Sequence, residues 1–255
     1  MKKENILKVE NLGIDFAGLT AVNNFNLQVD TGEIVGLIGP NGAGKTTVFN
    51  MLTKVYTPTR GKIYFNGKDI TNMDSISTNK EGISRTFQNI RLFNKMSVED
   101  NVKVGMNNKI NYSVFDAIFK TKKYKQEEKK AHDKAIELLK IFELDNKADW
   151  LSENLPYGQQ RRLEIARALA SEPRLLLLDE PAAGMNPSET KDLMETIKRI
   201  RDELNISILL IEHDMKLIMG ICERITVLNY GMVLACGTAE EIKNNKGVIK
   251  AYLGD

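Results

Sequence analysis

Three observations predict an α/β fold whose sheet is mostly parallel and covered on both faces. Short apolar runs recur along the chain, "IVGLIG" at 34–39, "RLLLLD" at 174–179 and "ISILLI" at 206–211. Each has the length of a strand buried on both sides. Each is followed by a helical pattern rather than by a second strand, the signature of a parallel sheet with crossover helices. The first run also enters its helix through a glycine-rich turn, "GPNGAGK".

Taken in order, "ILKVENLGIDF" and "FNLQV" alternate as strands of an N-terminal antiparallel part, and "DTGE" turns the chain into the first buried strand. "KTTVFNMLTKV" sets Val48, Leu52 and Val55 at helical spacing. "GKIYFNGKDI" is a further strand with a turn at Asn66–Gly67. From about 90 to 160 the character changes to helices. Ser97 precedes "VEDNVKVG" as a cap, and "EEKKAHDKAIELLKIF" aligns Ala131, Ala135, Leu138 and Phe142 on one face. The basic segment from Lys120 to Lys130 reads as the solvated face of this layer, with a lipid-headgroup contact as the minority reading. Beyond "RLLLLD", "NPSETKDLMETIKRIRDEL" is a helix with Asn186 as cap, Pro187 at its first position and Glu189 closing a capping box. The strand "ISILLI", the helix "MKLIMGICER" and the hairpin "ITVLNYGMVLACG" follow. The expected division is a core of residues 1–89 and 161–255 with a helical subdomain at 90–160.

The 255 residues suit one large α/β domain, or a core with a small subdomain. A net charge of +2 gives no bulk electrostatic footprint for nucleic acid. Glu4 and Asn5 stand where a signal peptide needs an apolar stretch, and no apolar run approaches a membrane span. Cys222 and Cys236 lack metal-ligand spacing, which fits a reducing cytoplasm.

"GPNGAGKTT" at 39–47 satisfies G-x-x-x-x-G-K-[ST] between a predicted strand and a predicted helix. Gly42 and Gly44 let the backbone curl so that N–H groups converge on phosphate oxygens, aided by the helix N-terminus. Lys45 would reach the β- and γ-phosphates, and the Thr46 hydroxyl would ligate Mg²⁺. Gly39, Asn41, Ala43 and Thr47 complete the candidate nucleotide contacts. No Asn-Lys pair is followed as a guanine reader requires, neither in "TNKEG" nor in "NNKI", which favours ATP over GTP.

Asp179 and Glu180 end the strand "LLLLDE". At the carboxyl edge of a parallel sheet they lie where ligands bind. Asp179 would orient Mg²⁺ and its water, and Glu180 would polarise a water aimed at the γ-phosphorus. His213, directly after another buried strand, is a candidate γ-phosphate contact or an ordinary loop histidine. Gln88, between the sheet part and the helical part, carries no such signal alone.

Together these pieces resemble the ATP-binding subunit of ABC transporters, across nearly the whole chain: the phosphate loop, Gln88 as the Q-loop, "LPYGQQRRLEIARAL" as the signature, "LLLLDEP", and His213 as the switch histidine. Within that family, the signature, "PAAGMNP", "EHDMKLIMGICERITVLNYG" and "AYLGD" look like one of the two ATPase subunits of branched-chain amino acid importers. The resemblance implies a P-loop NTPase core, ATP and Mg²⁺ as ligands, with Gln88 among the metal contacts, and catalytic Glu180 and His213. It implies an adenine stack on Phe16, the alternative being a core phenylalanine at the end of an edge strand. It also implies partners: a second ATPase subunit whose γ-phosphate meets Gly158 and Gln159, membrane permease subunits and a substrate-binding protein. The subunit would then be cytoplasmic and peripheral to the inner membrane face. Pro156 and Tyr157 replace the family's usual serine and first glycine, so the signature is expected to act through backbone, with a different ATPase completing this chain's own site. Asn186 replaces the usual D-loop aspartate. Phe87, Ile90, Leu92 and Phe93 are candidates for permease docking or, equally, for internal packing. The alternatives are a single-cassette ATPase of lipid or lipopolysaccharide export, a non-transport ABC protein and a small-molecule P-loop kinase.

Overall fold

The computed structural model describes residues 4–109 and 112–253. Two long strands, β1 (Asn5–Phe16) and β2 (Leu19–Asp30), lead into β3 (Ile34–Ile38). A glycine loop opens α1 (Lys45–Leu52), followed by β4 (Arg60–Phe65), β5 (Lys68–Asp69), α2 (Ser75–Glu81) and β6 (Ile83–Arg85). The helical stretch holds α3 (Val98–Gly105), α4 (Val114–Ile118), α5 (Lys122–Ile141) and α6 (Tyr157–Leu169). The chain then alternates through β7 (Leu175–Asp179), α7 (Pro187–Leu204), β8 (Ser207–Ile211) and α8 (Met215–Ile221). It closes with β9 (Arg224–Asn229), β10 (Met232–Gly237), α9 (Ala239–Lys243) and α10 (Lys246–Leu253).

One sheet is antiparallel, in the order β2-β1-β4-β5, and the other runs β10-β9-β3-β8-β7-β6. In the second, β9, β3, β8, β7 and β6 are parallel and β10 folds back on β9. The apolar runs do not alternate in sequence, yet their side chains separate with the period of two that a strand imposes. Val35, Leu37, Leu175, Leu177, Leu209 and Ile211 join the core shared with α1 and the antiparallel sheet. Ile34, Ile38, Leu176, Leu178, Ile208 and Leu210 join the core shared with α6, α7, α8 and the helical stretch. Parallel strands buried on both faces place all their loops at two edges, and the carboxyl edge gathers the residues of the next section.

The caps at Ser97 and Asn186 form as their sequences predict. Ser97 Oγ accepts the Asp100 N–H at 3.0 Å. Asn186 Oδ1 accepts from Ser188 and Glu189, while the Glu189 carboxylate accepts the Asn186 N–H at 2.9 Å. Both cysteines are free, and burial pushes the Cys222 thiol up to about 12.

Four expectations are corrected. Val55 does not lie on α1: Lys54 takes a left-handed φ of 61°, the helix ends at Leu52, and Val55 is exposed. The helix expected over 215–224 stops at Ile221, because Arg224 already begins β9. β2 extends well beyond "FNLQV", since pairing with β1 holds polar residues that the alternation leaves out. Strand β1 is interior to its sheet, not an edge. Strand β6 was not foreseen; three residues are too few to show a period. Residues Gly254 and Asp255 of the closing motif lie outside the described residues, as do Met1–Lys3.

Helices α3 and α6 meet at Gly105, where a Cβ would fall 2.2 Å from the Arg167 carbonyl oxygen. Gly105→Ala must therefore push the helices apart, at a cost of about 1–3 kcal/mol. Urea unfolding of the variant should show that loss as a lower midpoint with an unchanged slope.

Candidate active site

The phosphate loop lies between β3 and α1, with Gly42 and Gly44 at left-handed φ values of 78° and 104°. Gly39 passes so close to β9 that a Cβ would sit 2.1 Å from the Leu228 carbonyl oxygen. Gly44 takes the cap position of α1 with no side chain on the first N–H groups, leaving them to the loop's interior. Lys45 is almost fully buried, and its ammonium donates to the carbonyls of Gly39 at 2.8 Å and Pro40 at 3.0 Å. Burial lowers its pKa, while Glu180 and Asp179 oppose that shift. The cation thus faces the two carboxylates across the loop.

Asp179 ends β7 and is buried. Its Oδ2 accepts from the Arg85 guanidinium at 2.7 Å, and its N–H donates to Thr86 Oγ1 at 3.2 Å. Its Oδ1 is buried and without a partner. A buried, orphaned carboxylate oxygen is costly and calls for a cation or water. Among the described residues no group of three or more His, Cys, Asp or Glu gathers to cage a metal. One carboxylate and the Thr46 hydroxyl are oxygen donors of the kind Mg²⁺ takes when phosphates and waters fill the rest of its shell. The residues present therefore fit that ion.

Glu180 adopts φ 48°, a left-handed conformation that costs a non-glycine residue about 1–2 kcal/mol. Its N–H donates to the Ile211 carbonyl at 2.9 Å. The strain aims its carboxylate between two loops: Gln88 Nε2 donates to Oε2 at 2.9 Å, and His213 Nε2 lies 2.6 Å from Oε1. Since a carboxylate only accepts, Nε2 of His213 carries the hydrogen in this contact. The His213 loop is itself fastened by Glu212. This buried carboxylate accepts from the N–H groups of Ala182 at 2.7 Å, His213 at 2.9 Å and Asp214 at 3.3 Å. Burial raises the pKa of Glu212, and the three N–H donors oppose it.

Asn41 to Thr47, Gln88, Glu180 and His213 line one cleft of about 530 Å³, and Gly39 and Asp179 are not among its walls. The opposite wall, Leu19, Thr20, Ala21, Tyr230 and Gly231, was missed by sequence reasoning. It comes from the first residues of β2 and the turn between β9 and β10, segments with no chemical signature, joined where Asn23 N–H meets the Gly231 carbonyl at 2.8 Å. Phe16 is not among the cleft's walls. It is 41% exposed, which removes the core alternative, and it meets Tyr56 edge to face at 5.2 Å.

Gly158 and Gln159 are not part of the cleft either. They occupy the first turn of α6, whose cap Pro156 provides no side-chain hydrogen bond. Gln159 accepts from Lys147 at 2.7 Å. Tyr157 packs so closely on Gly184 that a Cβ there would come within 2.9 Å of its ring. The turn is tied to the Gln88 loop by two buried residues that sequence reasoning also missed, because on α6 they look like a solvated i,i+3 pair. Arg161 donates to the carbonyls of Phe87 at 2.7 Å and Gln88 at 2.6 Å and to Glu164 at 2.8 Å. Glu164 accepts from the N–H groups of Phe87 and Arg91 at 3.4 and 3.3 Å.

A glycine loop with a buried lysine, an orphaned aspartate oxygen and a polarised glutamate on one sheet edge define a P-loop ATPase. The chain belongs to the ABC transporter family: the ABC transporter model matches residues 22–183. A second model, the branched-chain amino acid ATP-binding cassette transporter, matches residues 232–255. Two relatives are each 48% identical over 98% of both chains: the high-affinity branched-chain amino acid transport ATP-binding proteins BraF of Pseudomonas aeruginosa and LivG of Escherichia coli. The ADP conformation of MJ1267, an ATP-binding cassette of an ABC transporter, superposes with a TM-score of 0.86 at 29% identity, over 99% of this chain and 100% of that one. A dimeric cassette, MJ0796 bound to ADP and Pi, covers 91% of this chain and 98% of its own with a TM-score of 0.77 at 26% identity. No helix among the described residues is long and apolar enough to cross a membrane.

Lys45→Ala removes the buried cation of the glycine loop, the candidate phosphate contact. A titration with a fluorescent ATP analogue should show affinity falling by about 10–100-fold, the loss of a charge-assisted contact of about 1.5–3 kcal/mol.

Proposed function

We propose that this chain is the ATP-hydrolysing subunit of an importer for branched-chain amino acids, acting as one of two cassettes beneath membrane permease subunits that receive their solute from a substrate-binding protein. The observation that carries the reaction is the Glu180 carboxylate, held from opposite sides by Gln88 and His213 at the mouth of the phosphate loop. The solute rests on the 48% identity to BraF and LivG and on the matching C-terminal segment. This identity favours import over the lipid or lipopolysaccharide export alternative. The chain would work in the cytoplasm, peripheral to the inner face of the membrane.

In this reading the loop N–H groups and Lys45 bind the β- and γ-phosphates, and Phe16 stacks on adenine. Glu180 accepts a proton from water as the water oxygen bonds to the γ-phosphorus. The bond from that phosphorus to the bridging oxygen breaks, leaving ADP and inorganic phosphate. His213 holds the Glu180 carboxylate in register and lies beside the γ-phosphate. Thr46, Asp179 and Gln88 would hold Mg²⁺, which would offset phosphate charge. Asn186 hydrogen-bonds within its own capping box, so its part at a dimer interface is that of a neutral polar group.

Gly158 and Gln159 of a second cassette would meet the γ-phosphate across the dimer, at the start of an α6 whose cap carries no side-chain hydrogen bond. A different ATPase subunit supplies the signature for this chain's own site. The core of 1–89 and 161–255 carries the nucleotide, and 90–160 is the helical part that transmits its state. α6 runs through the boundary at 160 and links the two. Phe87 and Phe93 line a groove of about 480 Å³ with Arg91 and Arg167 and are the docking residues for a permease helix. Ile90 is half-buried, and Leu92 packs on the core instead.

Glu180→Gln keeps the size and polarity of the side chain and removes the base. ATP binding should persist while hydrolysis falls about a hundredfold or more. Turnover near the unmodified rate would take the general-base role from Glu180.

A further inference from the structure

Helix α4 is built inside out. Val114, Phe115, Ile118 and Phe119 are 78, 66, 70 and 63% exposed, and none of the five residues of the helix is buried. At 100° per residue these four side chains occupy a single face about 140° wide. The polar residues face inward. Asp116 closes a capping box with Ser113 and accepts from the Thr121 hydroxyl at 2.8 Å. A helix in a folded chain ordinarily turns its apolar face to the core. Here the polar side is spent on holding the helix to α5, and the apolar side is presented outward, with the Phe115 and Phe119 rings 4.3 Å apart.

The mount is rigid enough to make this arrangement specific. Tyr112 stacks edge to face on Tyr124 of α5 at 5.0 Å, and its hydroxyl donates to Glu128 at 2.8 Å. That bond, together with burial, pushes the tyrosine up to about 12. Immediately beside the apolar face stand Lys120, Lys122, Lys123 and Lys125, all exposed. Lys123 acts on the Asp116 carboxylate of α4, and Lys120, Lys122 and Lys125 have no ion-pair partner among the described residues. Further along α5, Lys130 is paired with Glu127 and Lys134 with Glu137, while Lys129 and Lys140 are exposed like the four beside α4. No acidic residue occupies the first turn of α5. The composition of the patch is therefore apolar and aromatic at its centre and uniformly cationic at its edge.

We propose that α4 and the start of α5 form a membrane-contact element that binds the surface of a bilayer containing anionic lipids. Val114, Phe115, Ile118 and Phe119 enter the boundary between headgroups and acyl chains, and the four lysines engage the phosphates around them. Charge complementarity decides between a bilayer and a protein partner. Four exposed lysines close in sequence to exposed phenylalanines match an anionic headgroup layer over hydrocarbon, whereas protein interfaces are depleted in lysine. The element begins six positions after Asn108, which lines the groove beside Phe87 and Phe93. Membrane contact at α4 would thus hold the helical part next to the docking groove independently of any permease.

The test is flotation of the full chain with vesicles of phosphatidylcholine alone or mixed with phosphatidylglycerol. The unmodified chain should float with the anionic vesicles and release as salt is raised. Phe115→Ser/Phe119→Ser and, separately, Lys122→Gln/Lys123→Gln/Lys125→Gln should each weaken that binding about tenfold or more. All of these residues are on the surface and away from the nucleotide cleft, so thermal melting and basal ATPase should be unchanged in both variants. Failure of the unmodified chain to bind anionic vesicles, or equal binding by the variants, would overturn the proposal. So would vesicle binding that is absent while the same substitutions block assembly with permease subunits, because the patch would then be a protein interface.

Discussion

The buried pair Arg161–Glu164 is the constraint on which the working parts of this molecule depend. Both side chains are almost wholly buried, Arg161 at 0% and Glu164 at 1% exposure. Removing two charges from water costs several kcal/mol per ion, so an apolar pair would hold α6 to the core at least as well. What an apolar pair would lack is the set of directed bonds. Arg161 reads the carbonyls of Phe87 and Gln88, and Glu164 reads the N–H groups of Phe87 and Arg91. Burial raises the Glu164 pKa, and Arg161 is the main influence opposing that rise. The pair fixes the backbone of the Gln88 loop to α6. The side chain that holds Glu180 and the helix turn carrying Gly158 and Gln159 therefore move as one piece.

A second buried contact ties the same loop to the sheet. Arg85 donates to Asn50 of α1 at 2.6 Å and to Asp179 of β7 at 2.7 Å, and its guanidinium lies over the rings of Phe49 and Phe87 at 5.5 and 5.2 Å. It thus joins the helix after the glycine loop, the strand that ends in Asp179 and the loop that Arg161 grips. Asp179, Arg85 and Phe87 form one run of contacts between the candidate metal site and the groove proposed for docking. Glu212 plays the corresponding part on the other side, where three backbone N–H groups fasten the His213 turn to Ala182.

The sequence made legible whatever is local. The phosphate loop is one contiguous motif flanked by a strand and a helix, and its contacts are mostly backbone, so spacing alone reveals it. Asp179 and Glu180 follow from their place at the end of an apolar run. The alternation of strands and helices gave the parallel sheet. Gln88 carried no signal beyond the resemblance and His213 only its place after a buried strand, because their meaning is a distance of less than 3 Å to Glu180 across loops far apart in the chain. Arg85, Arg161, Glu164 and Glu212 stayed hidden for a related reason: charged residues read as solvent-facing until tertiary contacts bury them. Strand β6 escaped through brevity, and Val55 was misplaced because a left-handed Lys54 ended the helix that its spacing would have continued.

The coupling is tested most directly by measuring ATP turnover in the assembled transporter for Arg161→Met/Glu164→Leu, alongside ATP affinity. Replacing both partners removes the two charges of the pair together, so the fold should be retained. With the phosphate loop untouched, ATP affinity should stay within a few-fold, while turnover should drop by about tenfold or more because Gln88 no longer keeps its position against Glu180. Unchanged turnover in a stably folded double variant would contradict the claim that this pair joins the Gln88 loop to the signature helix for catalysis.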